Sequence, residues 1–91
     1  MKCLVVYDIP DDKVRPKVAD ICLDYGLQRI QYSAFLGVLH RNLQEELMLK
    51  VKRRMGKKAG NVRLYPICDK DLQHCLEIDN HAAAEKPEAP Q

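Results

Sequence analysis

Lys2-Cys3-Leu4-Val5-Val6-Tyr7-Asp8-Ile9-Pro10 opens the chain with a β-branched and aromatic run that a proline ends. Such a run reads as a strand, and its unbroken apolarity predicts a central, buried position. Immediately after it, Asp11 or Asp12 offers an N-cap. Val14, Val18, Ile21, Cys22 and Tyr25 then recur at the spacing of one helical face. Pro16 falls in the first turn or so, where a missing N–H costs least, and Gly26 is placed to stop the helix.

Between Leu27 and Leu39 the pattern turns to strand, with Ile30, Tyr32 and Ala34 alternating with Gln31, Ser33 and Phe35. No Asn-Gly pair marks a reversal, so one bent strand and a short hairpin both fit. Leu43, Leu47, Val51 and Met55 stand at four-residue steps and predict a second helix, with Gly56 and Gly60 bracketing its end. Asn61 to Cys68 alternates again as a strand. A turn at Asp69-Lys70-Asp71 and a weak strand from His74 to Ile78 are expected to follow. The order predicts an α+β, ferredoxin-like βαββαβ domain over residues 1–79 with an extra C-terminal strand. Residues 80–91 hold Ala, Glu and Pro but nothing to bury, so a disordered tail is expected.

A chain of 91 residues buries a modest share of its surface, and dimerisation is the expected remedy. No apolar run approaches the roughly 18 residues of a membrane span. Asp8 interrupts the first apolar stretch too early for a signal peptide, and the expectation is a cytoplasmic protein with no membrane association. Cys3, Cys22, Cys68 and Cys75 are scattered, without a CxxC or Cys/His cluster, and read as small buried or half-buried thiols. His74, Cys75 and His81 do not have metal-site spacing.

The net charge of +2 hides an uneven distribution. Residues 1–39 balance five bases with five acids, whereas residues 40–63 carry eight bases against Glu45 and Glu46, a net of +6. Residues 64–91 carry a net of −4. Concentrated positive charge is the footprint of a protein that meets polyanions. The run Lys50, Lys52, Arg53, Arg54, Lys57 and Lys58 also fits a solvated helix end, where cations favour the dipole. Phe35, the one phenylalanine, reads as core or interface. With no Trp and no paired aromatics, contact with the backbone is expected over base stacking.

Asp8 lies at the C-terminal end of the first strand. It fits a turn and capping residue, and it also fits a site residue. One carboxylate cannot build a nuclease metal site, but a twofold dimer can bring Asp8 to its mate. Two carboxylates and several waters suit Mg²⁺, which would polarise a phosphoryl oxygen and supply hydroxide near neutral pH.

Val6-Tyr7-Asp8-Ile9-Pro10-Asp11-Asp12-Lys13-Val14-Arg15, followed by Tyr25-Gly26-Leu27-Gln28-Arg29-Ile30-Gln31-Tyr32-Ser33-Ala34-Phe35-Leu36-Gly37, closely resembles the CRISPR-associated protein two family. This is the small subunit of the spacer-acquisition complex, and the resemblance covers all but the tail. It implies a homodimer whose last strand crosses to the partner's sheet, with Mg²⁺, or Mn²⁺, between two copies of Asp8. It also implies a dimer that bridges two dimers of the CRISPR integrase subunit and holds duplex prespacer DNA. A metal-dependent endonuclease cutting single-stranded RNA or duplex DNA is the alternative it carries.

Position by position, the resemblance implies catalytic roles for Tyr7, Asp8, Arg15, Arg29, Ser33 and Phe35, with Asp8 as metal ligand. Nucleic-acid contacts are expected from Arg15, Lys17, Lys50, Lys52, Arg53, Arg54, Lys57, Lys58 and Arg63. Lys17 replaces an arginine common in the family, which keeps charge but loses bidentate phosphate geometry. The acidic C-terminal part and tail are the expected integrase docking surface. A ferredoxin-like small-molecule sensor finds no supporting feature in the sequence.

Overall fold

In the computed structural model, residues 1–80 are described. In chain order they form β1 (Lys2–Asp8), α1 (Val14–Asp24), β2 (Gln28–Gln31), β3 (Ala34–Val38), α2 (Arg41–Met55), β4 (Asn61–Ile67) and α3 (Asp69–Gln73). The four strands make one antiparallel sheet in the order β2-β3-β1-β4. This is the split βαβ arrangement of a ferredoxin-like domain, with β1 central as its composition requires. The expected tail lies, except for Asn80, outside the described residues.

One face of β1 is core and the other is open. Cys3, Val5 and Tyr7 are buried against Val14, Val18 and Cys22 of α1, Leu47 and Val51 of α2, and Phe35 of β3. Alternation sends Leu4, Val6 and Asp8 the other way; Leu4 is half-buried and Val6 is exposed. The expected central position holds, and within this chain the burial is confined to one face, because both helices pack on the same side. Leu36 and Val38 of β3 pair with Leu4 and Lys2, and Tyr65 of β4 pairs with Leu4. These residues extend an apolar open face beside Val6.

Local chemistry explains most boundaries. The Asp11 carboxylate accepts the Lys13 and Val14 backbone N–H groups at 2.9 Å, satisfying donors that a helix start leaves orphaned. Gly26 ends α1 at φ 84° and Gly56 ends α2 at φ 56°, conformations that disfavour a Cβ. Gln44, a buried polar residue on the core side of α2, donates its amide to the Leu39 carbonyl at 2.9 Å and accepts from Arg41 at 3.2 Å. Residues 28–38 are a hairpin rather than a bent strand, turning at Tyr32 and Ser33, with a register shift between Arg29 and Gln31.

Two expectations fail at the C-terminal end. Asp69–Gln73 is a short helix instead of a turn, with Asp69 and Asp71 in the first turn where acids favour the N-terminal dipole. His74–Ile78 forms no strand; Leu76 is 96% exposed and Ile78 89%. A strand needs an edge to pair with, and within this chain the segment leaves the sheet. Cys68 and Cys75 flank α3 and are exposed, whereas Cys3 and Cys22 are buried as expected.

Candidate functional site

Residues at the C-terminal end of β1 divide between the two faces of the sheet. On the core side, Tyr7 and Phe35 stack at 6.2 Å between centroids, and the Arg29 guanidinium lies 5.1 Å from the Phe35 ring. Tyr7 is 3% exposed and its hydroxyl is a buried polar atom without a hydrogen-bond partner. Burial pushes the phenol's pKa up, and nearby Arg29 offsets part of that rise. Phe35 is fully buried. Both aromatic residues thus support the site from beneath, while Arg29 is exposed above them.

Arg15 is fixed by the loop that follows β1. Its guanidinium donates to the carbonyls of Ile9 at 2.7 Å and Pro10 at 3.2 Å, and it pairs with Asp12. Interaction with Asp12 first, and with Tyr32 second, raises its pKa further. Arg29 and Arg15 lie 5.5 and 6.0 Å from the centre of the Tyr32 ring. The Tyr7 N–H donates to the Ser33 carbonyl at 3.0 Å, fastening the hairpin turn to the strand end. Arg15, Arg29, Ser33, Tyr7 and Phe35 are therefore brought together, and Tyr32 joins them. Lys17 is exposed on α1, outside this network.

On the open face, Asp8 is exposed and lies opposite Asn61 of β4. Arg63 is opposite Val6, so it shares that face with Asp8 as a diagonal neighbour. No group of three or more His, Cys, Asp and Glu side chains converges on a metal-sized site among the described residues. One chain thus offers one carboxylate and one amide oxygen here. The placement fits a divalent cation only if a second copy completes the oxygen set.

The basic run occupies the second half of α2 and the turn beyond it. Lys50, Lys52, Arg53, Arg54, Lys57 and Lys58 are all exposed. Among the described residues, Asp11 is the one carboxylate at ion-pair distance from the run, 3.7 Å from Lys58. The acids of α2 are used elsewhere: Glu45 pairs with Arg41, and Glu46 accepts from the Tyr25 hydroxyl. That bond pushes the Tyr25 phenol up to about 12. Lys50 sits 5.4 Å from the Tyr25 ring centre. Along the outer side of β4, Met48, Val51, Met55 and Val62 floor a groove of about 370 Å³ with Lys52 and Lys58 beside it.

Sequence reasoning missed Tyr32 and Asn61. Asn61 becomes visible only through the β1–β4 register, and Tyr32 only once the hairpin turn is located.

A ferredoxin-like domain with a strand-end carboxylate and an exposed, largely unpaired cationic helix end suits a small nucleic-acid-directed class of protein. The family model for CRISPR associated protein Cas2 matches residues 1–75, and the chain belongs to that family. It is 48% identical over 79 residues to a protein of Desulforudis audaxviator named CRISPR-associated endoribonuclease Cas2, covering 87% of this chain and 74% of that one. A Chloroflexus aurantiacus protein named CRISPR-associated endoribonuclease Cas2 2 is 57% identical over 65 residues, 71% of this chain and 76% of its own. The solved structure of Streptococcus pyogenes Cas2 shares the fold at a TM-score of 0.73 and 24% identity, over 87% of this chain and all of that one. No helix among the described residues is long and apolar enough to cross a membrane.

Proposed function

We propose that this chain acts in CRISPR spacer acquisition as a homodimeric scaffold that holds duplex prespacer DNA and bridges integrase dimers. The observation that carries the reading is the exposed run from Lys50 to Lys58, of which only Lys58 has a carboxylate partner among the described residues. Six cations gathered with one carboxylate between them repel one another, and a phosphate backbone relieves that repulsion with release of counterions. Arg63 on the open face and Arg15 and Lys17 on the other side add further cationic positions. The second copy covers the open face of Leu4, Val6, Leu36 and Val38, an apolar surface that a small domain gains by burying.

A second reading, metal-dependent endonuclease, is favoured by the placement of Asp8, Asn61 and Arg63 on that same face. In the dimer, the two Asp8 carboxylates, with Asn61 beside each, would hold Mg²⁺ or Mn²⁺. Bound there, the metal would supply charge neutralisation at a phosphodiester and an activated water. Arg63 then holds the backbone of the nucleic acid near Asp8. The test is binding and cleavage of single-stranded RNA, single-stranded DNA and duplex DNA, with Mg²⁺ or chelator, for wild type and Asp8→Ala. Salt-sensitive duplex binding, equal in both proteins and without cleavage, supports the scaffold. Cleavage that disappears with chelator and with Asp8→Ala makes the chain a metal nuclease and names its substrate. Absence of any binding sinks both readings.

A further inference from the structure

We propose that Tyr32, at the tip of the β2–β3 hairpin, is a stacking platform for an unpaired nucleobase, with Arg29 set to hold the adjoining phosphate. The inference deepens the nucleic-acid reading above and rests on it. Composition argues for backbone contact alone, because the chain has no Trp and its aromatic residues show no paired motif. The fold nevertheless supplies, at Tyr32, an exposed ring with two arginines close to it.

Three features converge. Tyr32 is 71% exposed, yet its backbone is held: Arg29 Nε donates to the Tyr32 carbonyl at 3.2 Å, and the next residue, Ser33, accepts from the Tyr7 N–H at 3.0 Å. Tyr32 therefore presents an aromatic surface from a fastened turn, which lowers the entropy lost when something binds it. Two guanidinium groups lie over the ring within 6.0 Å of its centre, an arrangement that keeps phosphate donors close to a stacking surface. The ring also borders a cleft of about 250 Å³ between α1 and the hairpin, walled by Arg15, Pro16, Leu23 and Arg29.

Charge decides between a nucleotide and a bare anion. Asp12 and Asp20 line the cleft along with the two arginines, so its formal charge is balanced and a free phosphate gains little. Arg29 has no carboxylate partner among the described residues and keeps donors for one phosphate. The ring adds the sequence-independent term, since every base has a face that stacks.

Because the chain has no Trp, Tyr32→Trp installs a lone indole reporter. Titration with a single-stranded DNA or RNA oligonucleotide should quench that indole, and an abasic oligomer of equal length should not. Tyr32→Ala should weaken binding of the base-containing oligomer about tenfold and leave the abasic one unchanged. Unquenched indole, or equal loss for both oligomers, overturns the stacking role. A Tyr32→Ala protein that sediments as a smaller species yet binds the oligonucleotide normally overturns it as well, assigning the ring to contact between copies. A wild-type chain that binds neither oligomer defeats the nucleic-acid reading itself, a different failure from wild-type binding that ignores Tyr32.

Discussion

The Tyr7 N–H donates to the Ser33 carbonyl at 3.0 Å, joining the end of the central strand to the turn of the hairpin. This single bond makes one unit of a strand end and a turn 24 and 25 positions apart in sequence: Asp8 on the open face and Tyr7 in the core, with Tyr32 at the tip. A change at any of the three is expected to be felt by the others, and the packing beneath the hairpin offers a direct way to disturb it.

Gly37 lies where β3 crosses Leu27. A Cβ added there would stand 2.6 Å from Leu27 Cδ2 and 3.1 Å from its Cα, and Leu27 is itself buried. Gly37→Ala should destabilise the domain by about 1–3 kcal/mol through overpacking, read as a lower urea midpoint with an unchanged slope. An unaltered midpoint would show that the hairpin can shift without cost.

Asp11 should set part of the acid sensitivity. Hydrogen bonds from the Val14 N–H and then the Lys13 N–H, with Lys58 nearby, hold its carboxyl below the usual carboxylate range. The folded value is thus depressed, so the stabilisation is fully present above the unfolded value of roughly 4 and is lost as pH falls through the folded one. Wild type should exceed Asp11→Asn in urea midpoint at pH 7, and the gap should close in strong acid. A gap that persists at the acid end would remove the carboxylate from this role.

The thiols should fall into two classes. Cys68 and Cys75 are exposed, whereas Cys3 and Cys22 are fully buried. Burial, with a smaller effect from Cys3, pushes the Cys22 thiol up to about 11, and burial raises Cys3 too. Thiolate is the reactive form, so a disulfide reagent should titrate two thiols quickly and the other two only on unfolding. Four fast thiols would contradict the packing of β1 on α1.

How much of this was legible in sequence depends on how local the cause is. The apolar spacing of α1 and α2, the Asp11 cap and the glycine stops are decided within a few residues, and they stand where the pattern puts them. The hairpin at residues 28–38 was ambiguous because its turn uses Tyr32 and Ser33 without a positive φ, so no Asn-Gly signal was needed. Val6 looked buried because apolar character does not say whether its neighbour is a helix of this chain or another molecule. The strand expected at His74–Ile78 has the composition of a strand but no edge to join within the chain. Asp8 and the cationic run were visible as residue types; the sheet face Asp8 shares with Asn61 and Arg63 was not, because register is a long-range property.

The exposed cations of α2 and its C-terminal turn are expected to meet a phosphate backbone. The most direct measurement is the salt dependence of duplex DNA affinity for wild type and for a triple variant, Arg53→Gln with Arg54→Gln and Lys57→Gln. Each lost phosphate contact removes about 0.9 from the slope of log affinity against log salt, so the variant should bind more weakly with a slope shallower by about 2 to 3. Equal affinities and equal slopes would contradict the account and leave the run as a solvated helix end.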